Sequence, residues 1–472
     1  MKNTKKLIPI LLFISAAFLM ALALWGKSDK PNASKTVILT VWHVFVEDMR
    51  ISFDELINEF NNTIGAENGI VVKATSVTDA GVINENLSAA VDNDPGAPKL
   101  PDMAVVNPRA AVMLAEKGAL VDLTQYISQA ELDNFVPQFI KEGRLGSDRL
   151  YIMPVAKSAE VLYVNQTFFD RFSKETGIGL EKLTTFEGIA EAAIKYNEWT
   201  DAMTPGIPYD GKTFFYSEGL FNQGMIGFQQ LGGDIVKDKK LNLSDPIFKR
   251  IWDCFYPPAV KGGVAVYSGY SNYLIATGEV ICTTASSAGS FFYPNHVTYT
   301  DNTKENVKFD VLPFPVFEGG EKVVFQRGGG MCVTKSEPER EYAACLFLKW
   351  FTEPERNLRF CSNIGYMPVY KSAFDKISTG ELPPITNELT EKALIVLAEM
   401  QKDYRFYFPP VFDGFDELQT QYADRLRQAA LDGRAEYLRL LRTNSYNTGR
   451  AFYLASRNAM ENYIKGISLY EK

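Results

Sequence analysis

The feature that most constrains the fold is a regular alternation of strand patterns with amphipathic helix patterns along the first quarter of the chain. Strand patterns cover residues 36–46, 69–75 and 103–106, and helix patterns cover residues 47–61, 82–91 and 109–117. Strands that alternate with helices of this length form a largely parallel sheet with helices on its faces, joined by right-handed crossovers. The pattern therefore predicts an α/β fold.

The length and charge of the chain limit the classes of function. It has 472 residues, of which 46% are hydrophobic and 22% charged, which is enough for two or more domains. The formal net charge is −8 at pH 7, and no run of Lys and Arg follows the N-terminus. Nucleic-acid binding relies on clustered positive charge, so we expect no nucleic-acid partner.

The N-terminus reads as a targeting segment. Lys2, Lys5 and Lys6 precede an uncharged apolar run over residues 7–25, and Ala21-Leu22-Ala23 offers a small-x-small cleavage site. We expect residues 1–26 to be a signal peptide or a membrane anchor, with cleavage favoured, and residues 27–35 to be a polar linker. Either alternative predicts an exported protein, in the periplasm, outside the cell or on the outer face of the cytoplasmic membrane. Beyond this segment we expect no contact with the membrane.

The sequence offers little support for metal or cofactor chemistry. The spacing of the five cysteines matches no zinc or redox motif, and their odd number leaves at least one thiol free. Cys282, Cys332 and Cys345 lie in apolar patterns, which predicts buried, inert thiols. No H-E-x-x-H, phosphate-binding loop or paired C-x-x-C occurs. We therefore expect no cofactor and no metal.

Residues 327–374 combine features in an unusual order. A glycine triplet, Gly328 to Gly330, allows close backbone approach. A short apolar strand, residues 331–333, and an amphipathic helix follow it. A second helix is predicted to begin near residues 353–354, where a proline and acidic residues suit a first turn. It ends in a turn that presents Gly365, Tyr366 and Pro368.

Several segments together resemble bacterial extracellular solute-binding proteins of family 1, the sugar-binding subunits of ABC importers. The segments are PDMAVVN at 101–107, AEKGALVDL at 115–123, LYVN at 162–165, GEVICTTASS at 278–287 and IGYMPV at 364–369. The last two resemble glycerol-3-phosphate-binding members in particular. The resemblance covers most of residues 36–432.

This resemblance implies a two-lobed periplasmic-binding-protein-like fold of type II. Each lobe would be a mostly parallel sheet flanked by helices, and the chain would cross between the lobes more than once. We expect residues 36–157 with 322–374 to form the first lobe, and residues 158–321 with 375–472 to form the second. A monomer would close its lobes around a carbohydrate and deliver it to the transmembrane subunits of an ABC permease.

Candidate ligand-binding residues in the first lobe follow the rule that ligands bind beyond the C-terminal ends of parallel strands. Trp42, His43 and Asn107 occupy such positions. Trp42 could stack on a sugar and His43 could bond a hydroxyl, although a core tryptophan and a structural histidine explain them equally well. Two extended runs flank residues 154–158, where the resemblance puts the first crossover between the lobes. Lys157 and Ser158 lie in this crossover loop, which contacts ligand in the relatives.

The candidates in the second half of the chain come from hydroxyl-rich, glycine-rich and aromatic segments. Ser286 and Ser287 precede a predicted helix start, where a plain N-cap would explain one serine but not the neighbouring set that includes Ser290. Gly329 and Gly330 could offer backbone N–H groups, or serve only as a flexible hinge. Tyr366 is a turn tyrosine with little packing reason to be there. Tyr216 and Phe221 come from an aromatic loop, most of which we expect to belong to the core. The last candidate, Arg327, directly precedes the glycine triplet.

The chain departs from the glycerol-3-phosphate-binding pattern at two positions. Thr420 replaces an arginine that pairs with phosphate in those relatives, and Pro108 replaces an acidic residue. Without that guanidinium a phosphate loses its best bidentate partner, unless Arg327, Lys157 or Arg405 substitutes. The sequence therefore favours a neutral carbohydrate over a glycerol phosphate or a glycerophosphodiester.

Two other functions remain open from the sequence. A sensor subunit on the same fold would present its closed lobes to a receptor, and the sequence does not separate this from transport. An exported glycosidase would need two carboxylates across a cleft, for which Glu160, Glu218 and Asp234 are candidates by location only. His43 and His296 are the two histidines, and neither lies near a G-x-S-x-G elbow. We expect a binding protein and no enzyme.

Overall fold

The structure is a computed structural model that describes residues 36–77, 80–385, 387–443 and 445–468, without the side chains of residues 47, 48, 80 and 468. The predicted targeting segment and linker lie outside the described residues. The strands are β1 Val37–His43, β2 Ile70–Ser76, β3 Met103–Val106, β4 Met153–Asn165, β5 Phe215–Ser217, β6 Val236–Lys237, β7 Lys240–Leu241, β8 Cys282–Ser286, β9 His296–Thr298, β10 Lys304–Asn306, β11 Phe309–Leu312, β12 Val323–Val333 and β13 Arg405–Tyr407.

Helices flank these strands throughout the described chain. They are α1 Glu47–Asn62, α2 Ile64–Asn68, α3 Ala80–Asp92, α4 Pro108–Glu116, α5 Gln129–Leu132, α6 Pro137–Gly143, α7 Gln166–Thr176, α8 Phe186–Asp201, α9 Leu220–Gln230, α10 Pro246–Lys261, α11 Ser271–Ala276, α12 Pro338–Thr352, α13 Pro354–Asn363, α14 Lys371–Ser378, α15 Glu388–Asp403, α16 Phe415–Arg442, α17 Thr448–Ser456 and α18 Ala459–Ser468. Short 3-10 helices cover Leu123–Gln125, Leu180–Thr184 and Ser287–Phe292. The predicted α/β class is confirmed.

One sheet of nine strands runs through both halves of the molecule, in the order β2-β1-β3-β12-β4-β8-β5, with β11 paired to β4 and β13 paired to β12. We call β1, β2 and β3 with their helices the first lobe, and β5, β8 and β11 with theirs the second lobe. β1 is parallel to both β2 and β3, as the alternating pattern predicts. β5 is likewise parallel to β8.

Strands β4 and β12 connect the two lobes. The first part of β4 pairs with β12, and residues 160–165 pair with β8 and β11 of the second lobe. β12 pairs through residues 330–333 with β3 and through residues 323–325 with β13. Because the same two strands pair with strands of both lobes, they form the floor between the lobes.

The structure differs from the sequence prediction around Pro154. The sequence suggested two extended runs separated by a crossover loop at residues 154–158, whereas β4 is continuous and all thirteen of its residues are buried. Pro154 lacks an N–H group, which normally excludes it from a central strand. It lies opposite Gly330, where the register of β12 shifts between Gly329 and Gly330. The bulge at the glycines accommodates the proline.

A large core spans both lobes, and a smaller one lies beneath α3 and α4. Aromatic side chains fill much of the large core; Phe53, for example, contacts Phe45, Phe351 and Phe360 edge-on or tilted. All five cysteines are buried free thiols, as predicted for Cys282, Cys332 and Cys345.

Candidate functional site

A cavity of about 740 Å³ lies between the lobes. Helix α3 and the start of α4 line it from the first lobe, and α9 and residues 409–419 line it from the second. Residues 325–328 of β12 form its floor. Its volume is in the range of small-molecule sites, and its place between two lobes is typical of ligand clefts.

A buried carboxylate supports the cavity floor from the side of the second lobe. Asn222 on α9 donates its Nδ2 to Glu160 Oε1 at 2.7 Å, and Arg327 Nη1 lies 3.6 Å from the same oxygen. Glu160 is only 2% exposed. Burial raises its pKa, and the nearby charge of Arg327 opposes that shift. Asn222 and Arg327 both line the cavity, so Glu160 fixes two of the groups that a ligand would meet.

A second buried network supports the floor from the side of the first lobe. The Lys157 ammonium pairs with Glu142, and Gln326 donates its Nε2 to the same Glu142 oxygen at 2.9 Å. Lys157 and Gln326 are both buried. Because Glu142 accepts from the Gln326 amide nitrogen, the amide orientation is fixed and its oxygen is left for another partner.

Two amides of the lining have unused oxygens. Gln326 Oε1 and Asn84 Oδ1 are buried and have no hydrogen-bond partner among the described residues. Buried polar atoms are nearly always paired in folded proteins. Both residues line the cavity, so the protein leaves two acceptors beside it without a partner.

An ion pair joins the lobes at the rim of the cavity. Arg109 on α4 pairs with Asp416 on α16, and both side chains are substantially exposed. The pair bridges the two sides of the cleft, so the lobes are in contact in this structure. Phe412 and Phe415 lie on the same side of the cleft as Asp416 and add aromatic surface to the lining.

Two of the candidates predicted from the sequence line the cavity: Asn107 and Arg327. Asn107 is the N-cap of α4, where its Oδ1 accepts from Ala110 N at 2.9 Å. Its amide nitrogen takes no part in this cap. Gly329 and Gly330 follow the lining residue Gly328 in β12. Lys157 lies in β4 rather than in a loop, and it reaches the lining through Glu142.

A second group of candidates lies together along β4, β8 and the turn after α13. Ser286 Oγ donates to Ser158 Oγ at 3.3 Å, and Ser287 Oγ donates to the Gly365 carbonyl at 3.1 Å. Tyr366 follows Gly365, and burial raises its pKa while Arg327 lowers it. The serines begin a 3-10 helix at residues 287–292, close to the helix start predicted there. Ser158 lies opposite Arg327 in the ladder between β4 and β12, and none of these residues is part of the cavity lining.

The remaining candidates have partners in the protein. Tyr216 is buried and donates its hydroxyl to the Gly269 carbonyl at 2.8 Å. Phe221 contacts Phe415 and Tyr422 edge-on. Trp42 is half-buried and packs against the smaller core.

His43 lies among aromatic rings in the first lobe. It stacks on Phe45 at 5.3 Å and meets Phe53 edge-on at 5.0 Å, and its Nδ1 accepts from Phe45 N at 3.1 Å. Burial lowers its pKa to about 4, with smaller and opposing effects of Asp54 and Arg50. These contacts give it the environment of a structural histidine.

Several residues of the cavity were not singled out from the sequence. Asn84, Asn222 and Gln326 lie inside a helix or strand, where no local pattern distinguishes an amide that faces a cleft. Arg109 directly follows Pro108 at the start of α4, so the strand-end rule that selected Asn107 could have included it. Asp416 carries the weak signal of an acidic residue in a helix first turn.

The candidates for the alternative functions lie in varied places. Glu218 accepts from Ser271 N at 2.9 Å and from Ser271 Oγ at 2.8 Å. Asp234 is exposed and bonded to Gln229. Thr420 is exposed and donates its hydroxyl to the Asp416 carbonyl at 2.8 Å, and Arg405 is exposed beside Tyr407. None of these four residues lines the cavity in the described structure.

Two searches of the described residues gave negative results. No group of three His, Cys, Asp or Glu side chains in that part of the chain could hold a metal ion. No helix there is long and apolar enough to cross a membrane.

The fold and the cavity together define a two-lobed binding protein. Solved structures agree with this over nearly the whole chain. The cyclic alpha-maltosyl-1,6-maltose binding protein of Arthrobacter globiformis matches with a TM-score of 0.64 and 16% identity, over 91% of this chain and all of its own. UgpB of Mycobacterium tuberculosis, solved with glycerophosphocholine, matches with a TM-score of 0.64 and 17% identity, over 91% of this chain and 99% of its own. An ABC transporter solute-binding protein of Agrobacterium radiobacter, solved with ribitol, matches with a TM-score of 0.59 and 18% identity, over 90% of this chain and 99% of its own.

The sequence itself identifies the family. The profile of the family described as "Bacterial extracellular solute-binding protein" matches residues 55–426. The chain therefore belongs to the bacterial extracellular solute-binding proteins, which confirms the resemblance found in its motifs. A sequence search of curated proteins found no significant match.

Proposed function

We propose that this protein captures a neutral carbohydrate in the cleft between its lobes and delivers it unaltered to an ABC permease. The observation that carries the proposal is that two residues of the cavity lining, Asn84 and Gln326, each have a buried amide oxygen without a hydrogen-bond partner among the described residues. Hydroxyl groups are suited to such oxygens because they donate a hydrogen bond without bringing a charge. Phe412 and Phe415 offer apolar surface for the faces of a sugar ring.

The charges of the cleft favour a neutral ligand over a phosphate. Arg109 already pairs with Asp416, and Arg327 lies beside the buried Glu160. Each guanidinium therefore faces a carboxylate before any ligand enters. A phosphate would have to compete with these partners for its bidentate contacts.

The solved relatives support the same class of ligand. They include a cyclic alpha-maltosyl-1,6-maltose binding protein and proteins solved with maltose, acarbose and ribitol. A glycerophosphodiester is the second candidate, because UgpB was solved with glycerophosphocholine and because two arginines line the cavity here. A sensor subunit would use the same capture step.

We propose that the ligand is trapped by closure of the lobes about β4, β12 and the segment that follows Tyr366. The lobes would be residues 36–157 with 322–374 and residues 158–321 with 375–472. A ligand that contacts both lobes stabilises the closed state over the open one by its differential affinity. Asn107 and Arg327 would contact the ligand directly. Ser158, which lies opposite Arg327 in the strand ladder, and Tyr366, on whose pKa Arg327 acts, would support Arg327 from behind.

We further propose that the protein works outside the cytoplasmic membrane as a monomer that is held there, or released, according to the fate of residues 1–26. The permease subunits would bind the closed form. Catalysis is not part of this proposal, because the ligand leaves unchanged.

A thermal-shift screen tests the proposal most simply. Neutral mono-, di- and oligosaccharides, polyols and glycerophosphodiesters would each be added to the purified protein. A ligand that binds only the folded state raises the melting temperature. We expect stabilisation by one or more neutral compounds, which chromatography then recovers intact. Stabilisation by glycerophosphodiesters alone would favour the second candidate, and cleavage of a bound oligosaccharide would contradict the binding role.

A further inference from the structure

The most enclosed acid of the cavity lining is Glu142, near the C-terminal end of α6. Three acids of the described residues line the cavity: Glu85, Glu142 and Asp416. Glu85 is exposed and the Asp416 side chain is 61% exposed, whereas the Glu142 side chain is only 11% exposed. A hydrogen bond to a carboxylate is stronger where little water surrounds it. A ligand donor that reaches Glu142 therefore gains more than one that reaches either of the other acids.

A buried cation holds this carboxylate in place. The Lys157 ammonium pairs with Glu142 Oε2, and Gln326 donates its amide nitrogen to the same oxygen at 2.9 Å. Lys157 is 3% exposed, and its Nζ also lies 3.5 Å from the carbonyl oxygen of Gly328 on the cavity floor. The charge of Lys157 compensates that of Glu142, so the cavity can present a carboxylate that is already paired.

These two bonds leave part of the carboxylate unused. A carboxylate has about four lone-pair sites on its two oxygens, and Lys157 and Gln326 both bond to Oε2. No hydrogen bond within the described part of the chain reaches Glu142 Oε1, and this atom is not among the buried atoms that lack a partner. Oε1 is thus the acceptor that Glu142 keeps for a molecule in the cavity.

We infer that Glu142 contacts the bound carbohydrate directly by accepting hydrogen bonds from its hydroxyl groups, and that Lys157 is a positioning residue that holds the carboxylate for this contact. The inference rests on the proposed function and deepens it, because it assigns a binding residue that the sequence did not single out. A hydroxyl group gives a carboxylate a charge-assisted bond, which is roughly twice as strong as a bond between neutral groups. Lys157 acts on the ligand only through Glu142.

Calorimetric titration of the full-length protein with maltose, maltotriose and ribitol tests the contact. Glu142→Gln keeps the size of the side chain but removes its charge, and we expect it to weaken the compound that binds wild type best at least about tenfold. Glu85→Gln is the control, because Glu85 lines the same cavity but is exposed and forms no ion pair among the described residues. We expect Glu85→Gln to change that affinity less than about twofold.

Lys157→Met and its combination with Glu142→Gln separate positioning from plain structural support. Lys157→Met should weaken binding at least about threefold while Glu142 is present, and less than about twofold once Glu142→Gln is in place. Residues that only stabilise the fold would lower the melting temperature and leave the dissociation constant unchanged. The double variant removes both charges, so no uncompensated ion stays buried, and it should bind at least about tenfold more weakly than wild type even if a single variant does not fold.

The outcomes separate the inference from the function on which it rests. A smaller loss of affinity in the double variant, or equal losses in Glu142→Gln and Glu85→Gln, would overturn the contact and leave solute capture standing. Independent losses from Lys157→Met and Glu142→Gln would overturn the positioning role of Lys157. Failure of wild type to bind any of the three compounds would count against carbohydrate capture itself, and the inference would fall with it.

Discussion

The amides that line the cleft differ in how much they contribute to the stability of the folded protein. Asn222 holds the buried Glu160, whereas Asn84 Oδ1 has no partner within the described chain. Removing one partner of a buried hydrogen bond leaves the other unsatisfied, which costs more than the bond itself contributes. The two residues line the same cavity, so they form a natural comparison.

We predict that Asn222→Leu destabilises the protein by about 1–3 kcal/mol, because Glu160 loses its amide donor. Asn84→Leu should change the free energy of unfolding by less than about 0.5 kcal/mol, since no pairing of its oxygen is lost. Urea unfolding of both variants at neutral pH measures the difference. Equal losses would show that Asn222 does not support Glu160 in the way described.

The burial of His43 predicts how the stability of the protein depends on pH. The unfolded chain binds a proton at this residue with a pKa of 6.5, whereas burial lowers the folded value to about 4. The unfolded state therefore binds more protons between these values, and stability is lost as the pH falls from 6.5 towards 4. The full effect is on the order of 3 kcal/mol.

His43→Asn should remove this part of the acid sensitivity, while its side-chain oxygen can still accept from Phe45 N. Urea unfolding at pH 7, 5.5 and 4.5 would be compared with wild type. A shallower loss of stability in the variant is expected. Parallel pH profiles for the two proteins would mean that His43 titrates normally in the folded state.

The sequence could predict the candidate site only where a residue type and a position coincide. Asn107 follows a strand and precedes a helix, so the strand-end rule found it. Arg327 was found because it flanks the glycine triplet. Gln326 and Asn222 lie within regular elements, and the carboxylates that orient them are distant in the chain, so no local pattern reveals them.

At the scale of elements, the pairing of β12 with β4 depends on Gly328 more than on Gly329. Gly328 has φ +97°, and a Cβ there would lie 2.5 Å from the Ala156 carbonyl oxygen and 2.6 Å from Lys157 Cα. Gly329 does not have a positive φ, and its Cβ would meet only a side-chain carbon of Val105, at 3.3 Å. The triplet thus serves close strand approach at Gly328 and also at Gly330, where a Cβ would lie 2.2 Å from Ile152 Cγ2 and 3.0 Å from the Met153 carbonyl oxygen.

We predict that Gly328→Ala costs about 1–3 kcal/mol, because the backbone conformation and the opposing backbone both resist a side chain. Gly329→Ala should change stability by less than about 1 kcal/mol. Denaturant midpoints of the two variants provide the measurement. If Gly329→Ala proved the more harmful, the described register between β4 and β12 would be wrong.

Element types were predicted better than their continuity. The helix predicted at 47–61 ends one residue later in the structure, because a long amphipathic period is a strong local signal. The strand through Pro154 was split in the prediction, because a proline locally argues against a central strand. Only the partner strand, with its bulge at the glycines, makes that proline compatible.

At the scale of the whole molecule, the two lobes meet through the exposed pair of Arg109 and Asp416. Residues more than 300 positions apart leave no shared local signal, so this contact could not be predicted from the sequence. The two-lobed architecture could be predicted, because motifs along the chain resemble those of a family with that architecture. Exposed ion pairs contribute little to stability, so we expect this one to act chiefly on the balance between open and closed lobes.

We predict that Asp416→Asn weakens ligand binding by less than about 1 kcal/mol, and that added salt weakens wild-type binding by a similar mechanism. The dissociation constant of a neutral ligand would be measured at low and high salt for wild type, Asp416→Asn, Arg109→Gln and the double variant. We expect the double variant to lose no more than either single one. Additive losses would show that the two residues act independently.

The most direct test of the account is a crystal structure of the protein with the neutral compound that stabilises it most. The account predicts ligand between α3, α4 and α9, with hydroxyl groups within hydrogen-bond distance of the amides of Gln326 and Asn84. A ligand bound elsewhere would contradict it, for example in the second cavity of about 500 Å³ beneath the C-terminal helices.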